Sequence, residues 1–163
     1  MAQEFRIGHG FDMHRFRGGR KLMLGGVEIP HALGLWGHSD ADVLLHALIN
    51  ALLGALGEGD IGIHFPDTDP RFKGIASMKL LVNVLNLMRR KKFTLVNADV
   101  TLIAQRPKLA PHYAAMRKSV AKGLNIPETR INIKATTTEQ LGALGQGKGM
   151  AATAVVLLRK AGS

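Results

Sequence analysis

The chain has 163 residues, of which 46% are hydrophobic and 21% charged, and it contains no cysteine. This composition fits one packed domain over residues 1–163 and excludes a mainly disordered chain. The absence of cysteine excludes a disulfide framework, a thiolate metal site and a thiol nucleophile. Lys and Arg number 22 against 12 Asp and Glu, a formal charge of +10 that favours nucleic acid, anionic lipid or phosphorylated small molecules as partners.

The sequence predicts a cytoplasmic protein that does not enter a membrane. Its most apolar stretch, 41–56, is broken by Asp42, His46 and Asn50 and is shorter than the roughly 18 to 20 apolar residues that a membrane-spanning helix needs. The first ten residues contain one arginine but neither the apolar core nor the cleavage site of a secretory signal.

Hydrophobic periodicity and turn residues predict an α+β chain in the order β-β-β-α-α-β-α-β-β, without repeats or linkers. The predicted elements are strands at 4–14, 21–24 and 27–29, helices at about 40–56 and 75–91, a strand at 94–105, a helix at 111–124 and strands at 131–138 and 150–159. Ser39, with Asp42 three residues later, resembles the N-cap of the first helix. On the strand at 94–105 one predicted face carries Val96, Ala98, Val100, Leu102 and Ala104.

Asp12 and His14 are spaced i, i+2, so that on a strand both side chains point to one face. A carboxylate and an imidazole both suit Zn²⁺, and His46, on a polar line of an otherwise apolar helix, is the best third ligand. Asp42, one turn earlier, is a candidate to orient His46. The alternative is a hydrogen-bonded histidine on a buried strand, and spacing alone does not decide between the two.

Two further segments have a ligand interpretation and a structural one. The run 37–42 places His38, Ser39 and two aspartates at a helix N-terminus, which suits a phosphate, although Ser39 can also serve simply as a cap. The acidic loop within 57–74 contains Asp60, Asp67 and Asp69, which can accept hydrogen bonds from hydroxyl groups or can form Asx turns.

The run 134–139 ends a predicted strand with a lysine, three threonines and Glu139. The hydroxyls and Lys134 can hold phosphate oxygens, and Glu139 can hold a hard Mg²⁺ or Mn²⁺ ion, but a Thr-rich strand end is an equally good explanation. The basic cluster 89–92 is expected to cap a helix C-terminus rather than to bind nucleic acid, and Trp36 is expected to lie in the core.

Several separated motifs together resemble one family. They are G-F-D-M-H (10–14), L-G-G-V-E-I-P (24–30), G-H-S-D-A-D-V-L-L-H-A-L (37–48), G-D-I-G (59–62), F-P-D-T-D-P (65–70) and K-A-T-T-T-E (134–139). This pattern, over nearly the whole chain, is similar to the 2-C-methyl-D-erythritol 2,4-cyclodiphosphate synthase family.

The resemblance implies one α+β domain with a mixed sheet and helices packed on one face. It also implies a homotrimer with the sheets around the threefold axis and active sites between neighbouring subunits. The implied reaction converts 4-diphosphocytidyl-2-C-methyl-D-erythritol 2-phosphate to the cyclic diphosphate and CMP, in non-mevalonate isoprenoid synthesis. No nucleic-acid or membrane partner is implied.

The resemblance also assigns roles to residues. Asp12, His14 and His46 would hold Zn²⁺, Glu139 would help to hold Mg²⁺ or Mn²⁺ at the substrate diphosphate, and His38, Ser39 and Thr137 would steady the transferring group. The implied substrate contacts are Asp12, His14, His38, Ser39, Asp60, Ile61, Gly62, Phe65, Pro66, Asp67, Thr68, Asp69, Ala104, Gln105, Pro107, Lys108, Leu109, Ala110, Thr136, Thr137, Thr138 and Glu139.

The segment 142–149 departs from the family pattern. Relatives commonly carry an aromatic residue, an arginine and a glutamate between the glycines, where this chain has Ala143, Gln146 and Lys148. The loss of an apolar ring and of a forked phosphate donor puts any ligand near the trimer axis in doubt, so no site is assigned to Ala143 or Gln146.

Two rival functions make different predictions. A metal-dependent nucleotide phosphohydrolase would use the same Asp12, His14 and His46 but would attack with a metal-bound hydroxide. A nucleic-acid-binding module would need a continuous basic face with interleaved aromatic residues. With one Trp, one Tyr and six Phe in the chain, no such interleaving is present.

Overall fold

The computed structural model describes residues 3–162, which form one mixed sheet with helices packed on one of its faces. The strands are β1 (Phe5–Arg17), β2 (Leu22–Leu24), β3 (Val27–Ile29), β4 (Gly34–Leu35), β5 (Phe93–Ile103), β6 (Ile131–Thr136) and β7 (Gly149–Lys160). The helices are α1 (Val43–Leu56), α2 (Ile61–His64), α3 (Ser77–Arg90), α4 (Tyr113–Leu124) and α5 (Gly142–Gly145). The predicted α+β class is confirmed.

The main sheet has five strands in the order β4-β1-β7-β5-β6. Neighbouring strands are antiparallel except for the parallel pair β5 and β6, and β2 and β3 form a separate hairpin. Because β5 and β6 run the same way, the segments that follow Ile103 and Thr136 leave the sheet at the same edge. This arrangement brings two of the sequence motifs together.

Helix α1 is the central buried helix, and nearly all of its side chains are inaccessible to solvent. It lies directly on β1 and β7 because β1 carries glycine where the helix crosses it. A Cβ atom at Gly8 would lie 1.9 Å from the carbonyl oxygen of Ala51, and one at Gly10 would lie 2.0 Å from that of Ala47. Gly8 and Gly10 therefore determine how closely α1 approaches the strand that carries Asp12 and His14.

The start of α1 differs from the prediction. Ala41 has a φ of 56°, outside the helical range, and Asp42 is the N-cap, its side chain accepting a hydrogen bond from the backbone N–H of Leu45. The helix therefore begins at Val43 rather than near residue 40, and Ser39 as its N-cap was wrong. The carboxylate of Asp42 also accepts from the N–H groups of Gly25 and Gly26, which ties the β2–β3 turn to the helix.

A β-bulge changes the predicted face of β5. The pairing of β5 with β7 shifts between Leu95 and Asn97, so Val96 is the extra residue. Ala98, Val100 and Leu102 face the core as predicted, but Val96 does not share their fully buried face, because the bulge resets the alternation.

Several other helix and strand boundaries differ from the prediction, because tertiary contacts determine where these elements end. The segment 57–74, predicted as an irregular loop, contains the short helix α2 and a 3-10 turn at Pro70–Phe72. Strand β1 continues to Arg17, and β6 ends at Thr136 rather than at residue 138. The two-residue strand β4 and the short helix α5 have no counterpart in the prediction. No helix within residues 3–162 is long and apolar enough to span a membrane.

Candidate metal centre and cavity

Three side chains from two elements converge at the edge of the sheet. Asp12 and His14 point from β1 toward α1, on the same face of the strand as Gly8 and Gly10, and His46 points back from the first turn of α1. Asp12 Oδ2 lies 2.8 Å from His14 Nε2 and 3.0 Å from His46 Nδ1. One potential ligand atom from each residue lies within 4.8 Å of the others, so the predicted cluster is confirmed as a metal-binding group.

The remaining nitrogen of each histidine has its own partner. His14 Nδ1 lies 2.8 Å from the carbonyl oxygen of Trp36, to which it donates, and this leaves Nε2 free to face the cluster. His46 Nε2 lies 2.8 Å from Ser77 Oγ and 3.1 Å from Ser39 Oγ, which leaves Nδ1 facing the cluster. Metal-binding histidines in proteins are held in this way, so the donor set fits a divalent ion.

The predicted role of Asp42 is wrong. Its carboxylate oxygens accept from the backbone of Gly25, Gly26 and Leu45 and do not face His46. Among the described residues, Asp12, Ser39 and Ser77 are the side-chain partners of His46 outside the histidine pair itself. Asp42 contributes to the site by starting the helix that carries His46.

The electrostatics of the cluster favour a charged carboxylate. Burial alone would raise the pKa of Asp12, but its contacts with the imidazole nitrogens of His14 and His46 outweigh burial and hold this pKa far below its usual range. Burial would lower the pKa of His14, but the hydrogen bond with Asp12 and the charge of that carboxylate raise it. An anionic ligand flanked by two imidazoles is the charge pattern that a divalent cation requires.

A cavity of about 1090 Å³ opens above the cluster. Its walls come from β1, the loop before α1, helix α2 and the segment that follows it, and they are lined by Asp12, Met13, His14, Arg15, Arg20, Trp36, Gly37, His38, Ser39, His46, Ile61, Gly62, Phe65, Pro66, Asp67, Phe72, Lys73, Gly74 and Leu80. The volume suits a small-molecule ligand. The motifs 10–14, 37–48, 59–62 and 65–70 therefore meet at one cavity.

Some residues of the acidic loop have structural partners. Asp60 caps α2 by accepting from the N–H of Ile63, and Asp69 pairs with Arg71 at 2.6 Å. The hydrogen bonds from Arg71 lower the pKa of Asp69. Asp60, Thr68 and Asp69 are not among the residues that line the cavity within the described chain, whereas Asp67 is. The structural interpretation is confirmed for Asp60 and Asp69, and ligand contact at Asp67 stays a prediction.

The predicted site residues of the segments 104–110 and 136–139 lie away from the cavity. The segments 104–110 and 136–139 adjoin each other, since the N–H of Ala104 donates to the carbonyl oxygen of Thr136 at 3.0 Å. Thr137 donates to the Glu139 carboxylate at 3.0 Å, and Glu139 is exposed with a φ of 51°. Within residues 3–162, neither segment lines the cavity. One chain alone does not bring Glu139 and Thr137 to the metal-binding cluster.

Two details in and beside these segments concern polar atoms. Lys134 forms an ion pair with Asp99 on the neighbouring strand, which lowers the pKa of Asp99, so its charge is partly neutralised. The Oε1 atom of Gln105 is buried and accepts no hydrogen bond from any residue in 3–162. A buried amide oxygen without a partner is energetically unfavourable.

Several cavity residues were not found from the sequence. Trp36 is 43% exposed and lies under the guanidinium of Arg15, whose carbon is 4.5 Å from the ring centroid, so the prediction of a core tryptophan was wrong. Its position directly before the 37–42 motif was a usable signal. Arg20, Lys73 and Ser77 reach the site from turns and helix ends that only the tertiary fold brings near.

The fold and the site define a class of α+β protein in which one open sheet, covered by helices on one face, carries an Asp-His-His metal group beside a large cavity. Sequence comparison identifies the family within this class. The chain belongs to the YgbB family, whose model matches residues 5–159.

Individual relatives agree with this assignment. A 2-C-methyl-D-erythritol 2,4-cyclodiphosphate synthase of Syntrophotalea carbinolica is 62% identical over 156 residues, which cover 96% of this chain and 95% of that protein. One of the same name from Bacillus velezensis is 58% identical over 157 residues, covering 96% of this chain and 99% of the relative.

Solved structures show the same fold. The bifunctional IspDF of Campylobacter jejuni matches with a TM-score of 0.95 and 46% identity, over 98% of this chain and 43% of that longer protein. The IspF of Plasmodium falciparum, in complex with CDP, matches with a TM-score of 0.87 and 33% identity, over 99% of this chain and 100% of that one.

Proposed function

We propose that the protein is a metal-dependent 2-C-methyl-D-erythritol 2,4-cyclodiphosphate synthase, formed as one domain by residues 1–163. It cyclises 4-diphosphocytidyl-2-C-methyl-D-erythritol 2-phosphate and releases CMP. The observation that carries the proposal is the convergence of Asp12, His14 and His46 beside the cavity. The synthase names of relatives about 60% identical supply the reaction.

The reaction needs no protein nucleophile. An oxygen of the substrate's own 2-phosphate attacks the β-phosphorus, the bond from this phosphorus to the bridging oxygen breaks, and CMP leaves with that oxygen. A phosphate is already anionic near neutral pH, so the site needs no strong base. Its tasks are to fold the substrate and to offset charge at the transferring group.

The proposed metal at Asp12, His14 and His46 is Zn²⁺, because two imidazoles and one carboxylate are common zinc ligands and leave a fourth position for a substrate oxygen. When bound, such an ion would polarise a phosphate oxygen. A phosphate can bind beside the negative Asp12 carboxylate only when a cation offsets the repulsion between the two anions. We propose Mg²⁺ or Mn²⁺ at Glu139, which would neutralise the diphosphate.

The chain's own residues would position the substrate. His38 and Ser39 lie at the cavity wall beside the cluster, where both side chains can contact the transferring phosphate, and Nε2 of His38 lies 3.2 Å from the carbonyl oxygen of Asp69. Ile61, Gly62 and the segment 65–67 line the adjoining part of the cavity, which is the proposed place for the methylerythritol unit. Asp67 can accept from its hydroxyl groups.

The remaining residues would come from a neighbouring subunit. We propose a homotrimer in which the segments 104–110 and 136–139 of one subunit complete the cavity of the next. The open face of the sheet supports this assembly, since Phe5, Ile7, Phe11 and Met13 of β1 are all more than half exposed there. Large apolar patches of this kind mark interfaces between proteins.

In this assembly, Thr137 would donate to the transferring group and Glu139 would hold the second metal, with Thr136 and Thr138 beside them. The loop Ala104, Gln105, Pro107, Lys108, Leu109 and Ala110 would bind cytidine and its phosphate. Leu109 is buried and shapes this loop, while Lys108 is exposed and can approach a phosphate.

The test is ³¹P NMR of the purified protein with the proposed substrate, Zn²⁺ and Mg²⁺, alongside a sample treated with EDTA. Formation of CMP and the cyclic diphosphate, abolished by the chelator and restored by adding metal, supports the synthase. Orthophosphate as the product would favour the phosphohydrolase. The matched variants are His46→Ala, expected to lose turnover and zinc, and His31→Ala, a histidine outside the cavity, expected to retain both.

A further inference from the structure

A chain of hydrogen bonds lies behind His46, on the side away from the metal-binding cluster. His46 Nε2 is 2.8 Å from the hydroxyl oxygen of Ser77, the first residue of α3. The Ser77 hydroxyl in turn donates to Oδ1 of Asp40 at 2.5 Å, and the backbone N–H of Ser77 donates to Oδ2 of Asp40 at 3.1 Å. Ser77 is completely buried.

The direction of these hydrogen bonds follows from counting protons. A carboxylate only accepts, so the single hydroxyl proton of Ser77 is committed to Asp40. The oxygen of Ser77 can therefore only accept from His46, which requires the proton of the neutral imidazole to be on Nε2. The lone pair of His46 is then on Nδ1, the atom that faces Asp12.

We propose that Ser77, polarised by Asp40, is a positioning residue that presents the Nδ1 lone pair of His46 to the metal. This inference rests on the metal site of the proposed function and extends it to two residues outside the ligand set. It gives helix α3 a role at the site, since the first residue of this helix fixes both the tautomer and the rotation of a ligand on α1.

Ser39 has a different role although it also contacts His46. Its oxygen lies 3.1 Å from His46 Nε2 and accepts from the N–H of Ala41, but its hydroxyl proton is not committed to a carboxylate. Ser39 lines the cavity, and because the Ser77 proton is committed to Asp40, the Ser39 hydroxyl can donate to Ser77 Oγ, 3.4 Å away, or to a group in the cavity. The geometry therefore assigns orientation of His46 to Ser77 and contact with the ligand to Ser39.

The test compares zinc affinity in the full-length protein by competition with a chromophoric chelator. Ser77→Ala and Asp40→Asn are each expected to weaken zinc binding at least tenfold, as is typical for residues that orient metal ligands. The double variant should lose little more than either single variant, because both changes break one chain. Ser119→Ala, on α4 and outside the cavity, is the control.

A spectroscopic measurement separates positioning from a general structural effect. In the zinc-loaded wild type with ¹⁵N-labelled histidine, the Nε2 proton of His46 should exchange slowly with solvent, and in Ser77→Ala it should exchange faster. Circular dichroism checks that each variant folds. If Ser77→Ala does not fold, the same zinc-affinity and proton-exchange measurements are made on Asp40→Asn, which retains Ser77.

The outcomes are distinguishable. If both single variants bind zinc as tightly as the wild type, or if Ser39→Ala alone reproduces the full loss, the inference is overturned while the proposed function stands. If the wild type catalyses cyclisation but binds no zinc at His46, the inference falls together with the zinc assignment. Weakened, non-additive binding with faster proton exchange supports it.

Discussion

Asp42 is a buried carboxylate with a structural role, and its environment raises its pKa. Burial raises its pKa to about 6, aided by the charge of Asp40 and opposed by hydrogen bonds from the N–H groups of Gly26, Leu45 and Gly25. Asp42 holds the start of α1 to the β2–β3 turn. The helix that carries His46 therefore depends on a group that can change its charge.

This elevated pKa predicts a pH dependence of stability. Between the ordinary pKa of 3.8 and about 6, the folded protein retains a proton on Asp42 that the unfolded chain has lost. The free energy of unfolding should therefore fall as pH rises through this window, by up to about 1.4 kcal/mol per pH unit from this group.

Urea denaturation of the metal-free protein at pH 4, 5, 6 and 7 measures the effect, with Asp42→Asn as the comparison. The advantage of the wild type over Asp42→Asn should shrink from pH 4 to pH 6 and then level off. A constant difference across this range would show that Asp42 titrates normally.

Arg20 is another residue whose role only the structure shows. Its guanidinium donates to the carbonyl oxygens of Gly37, at 2.6 Å, and of Ser39, which flank His38. The planar fork of an arginine can hold two carbonyls at once, whereas the ammonium of a lysine cannot match this geometry.

We expect Arg20→Lys to lower kcat/KM for cyclisation by about 10- to 100-fold, because a small displacement of the 37–39 loop misplaces His38 and Ser39. Zinc affinity should change much less, since Arg20 does not contact His46. Arg17→Lys, an exposed residue at the end of β1, is the matched control. Unchanged kinetics in Arg20→Lys would show that the loop is held by its other contacts.

At the scale of elements, sequence periodicity predicted the faces of strands and helices, because contacts within one element determine those faces. The i, i+2 spacing of Asp12 and His14 correctly placed both on one face of β1, and the apolar repeat of α1 correctly placed His46 on a buried helix. Strand β4, the bulge at Val96 and the start of α1 depend on pairing between distant segments. Ser77 and Arg20 escaped prediction for the same reason.

The contact between α1 and β1 controls both stability and the metal-binding cluster. Gly10→Ala should destabilise the protein by about 1 to 3 kcal/mol, because the added methyl group overlaps the backbone of α1 near Ala47. Zinc binding should weaken as well, since displacing the helix separates His46 from Asp12.

Gly54→Ala is the control for this prediction. Its added methyl group would lie 3.8 Å from the nearest atom, the His9 carbonyl oxygen, and alanine favours a helix by about 1 kcal/mol over glycine. Thermal unfolding and chelator competition measure both variants. If Gly10→Ala were as stable as Gly54→Ala, the close packing of α1 on β1 would not limit the fold.

At the scale of the whole molecule, the two groups of predicted site residues and the open face of the sheet point to the same assembly. Residues 104–110 and 136–139 do not reach the cavity of their own chain within the described residues. The exposed apolar side chains of β1 on the face without helices need a partner to exclude water. The proposed trimer meets both requirements, because each subunit covers the sheet of its neighbours and completes a neighbouring site.

This assembly predicts the effect of a charge on the open face. Ile7 is 74% exposed in the single chain, and Ile7→Asp would bury a carboxylate in the proposed interface, so this variant should elute as a monomer. The wild type should show the mass of three 17.6-kDa chains by light scattering.

Val82→Asp, on the outer side of α3, should leave the trimer intact. Activity should be lost along with the trimer in Ile7→Asp, because Thr137 and Glu139 would no longer reach a metal-binding cluster. A monomeric wild type with full activity would remove the need for a shared site.

The central claim is that the substrate's own phosphate, and not water, attacks the β-phosphorus. The most direct measurement is turnover of 4-diphosphocytidyl-2-C-methyl-D-erythritol 2-phosphate in H₂¹⁸O, with the products analysed by mass spectrometry. The account predicts that CMP and the cyclic diphosphate both contain no ¹⁸O, since cyclisation consumes no water. One ¹⁸O atom incorporated per turnover would contradict it and would identify a metal-dependent hydrolase built from the same Asp12, His14 and His46.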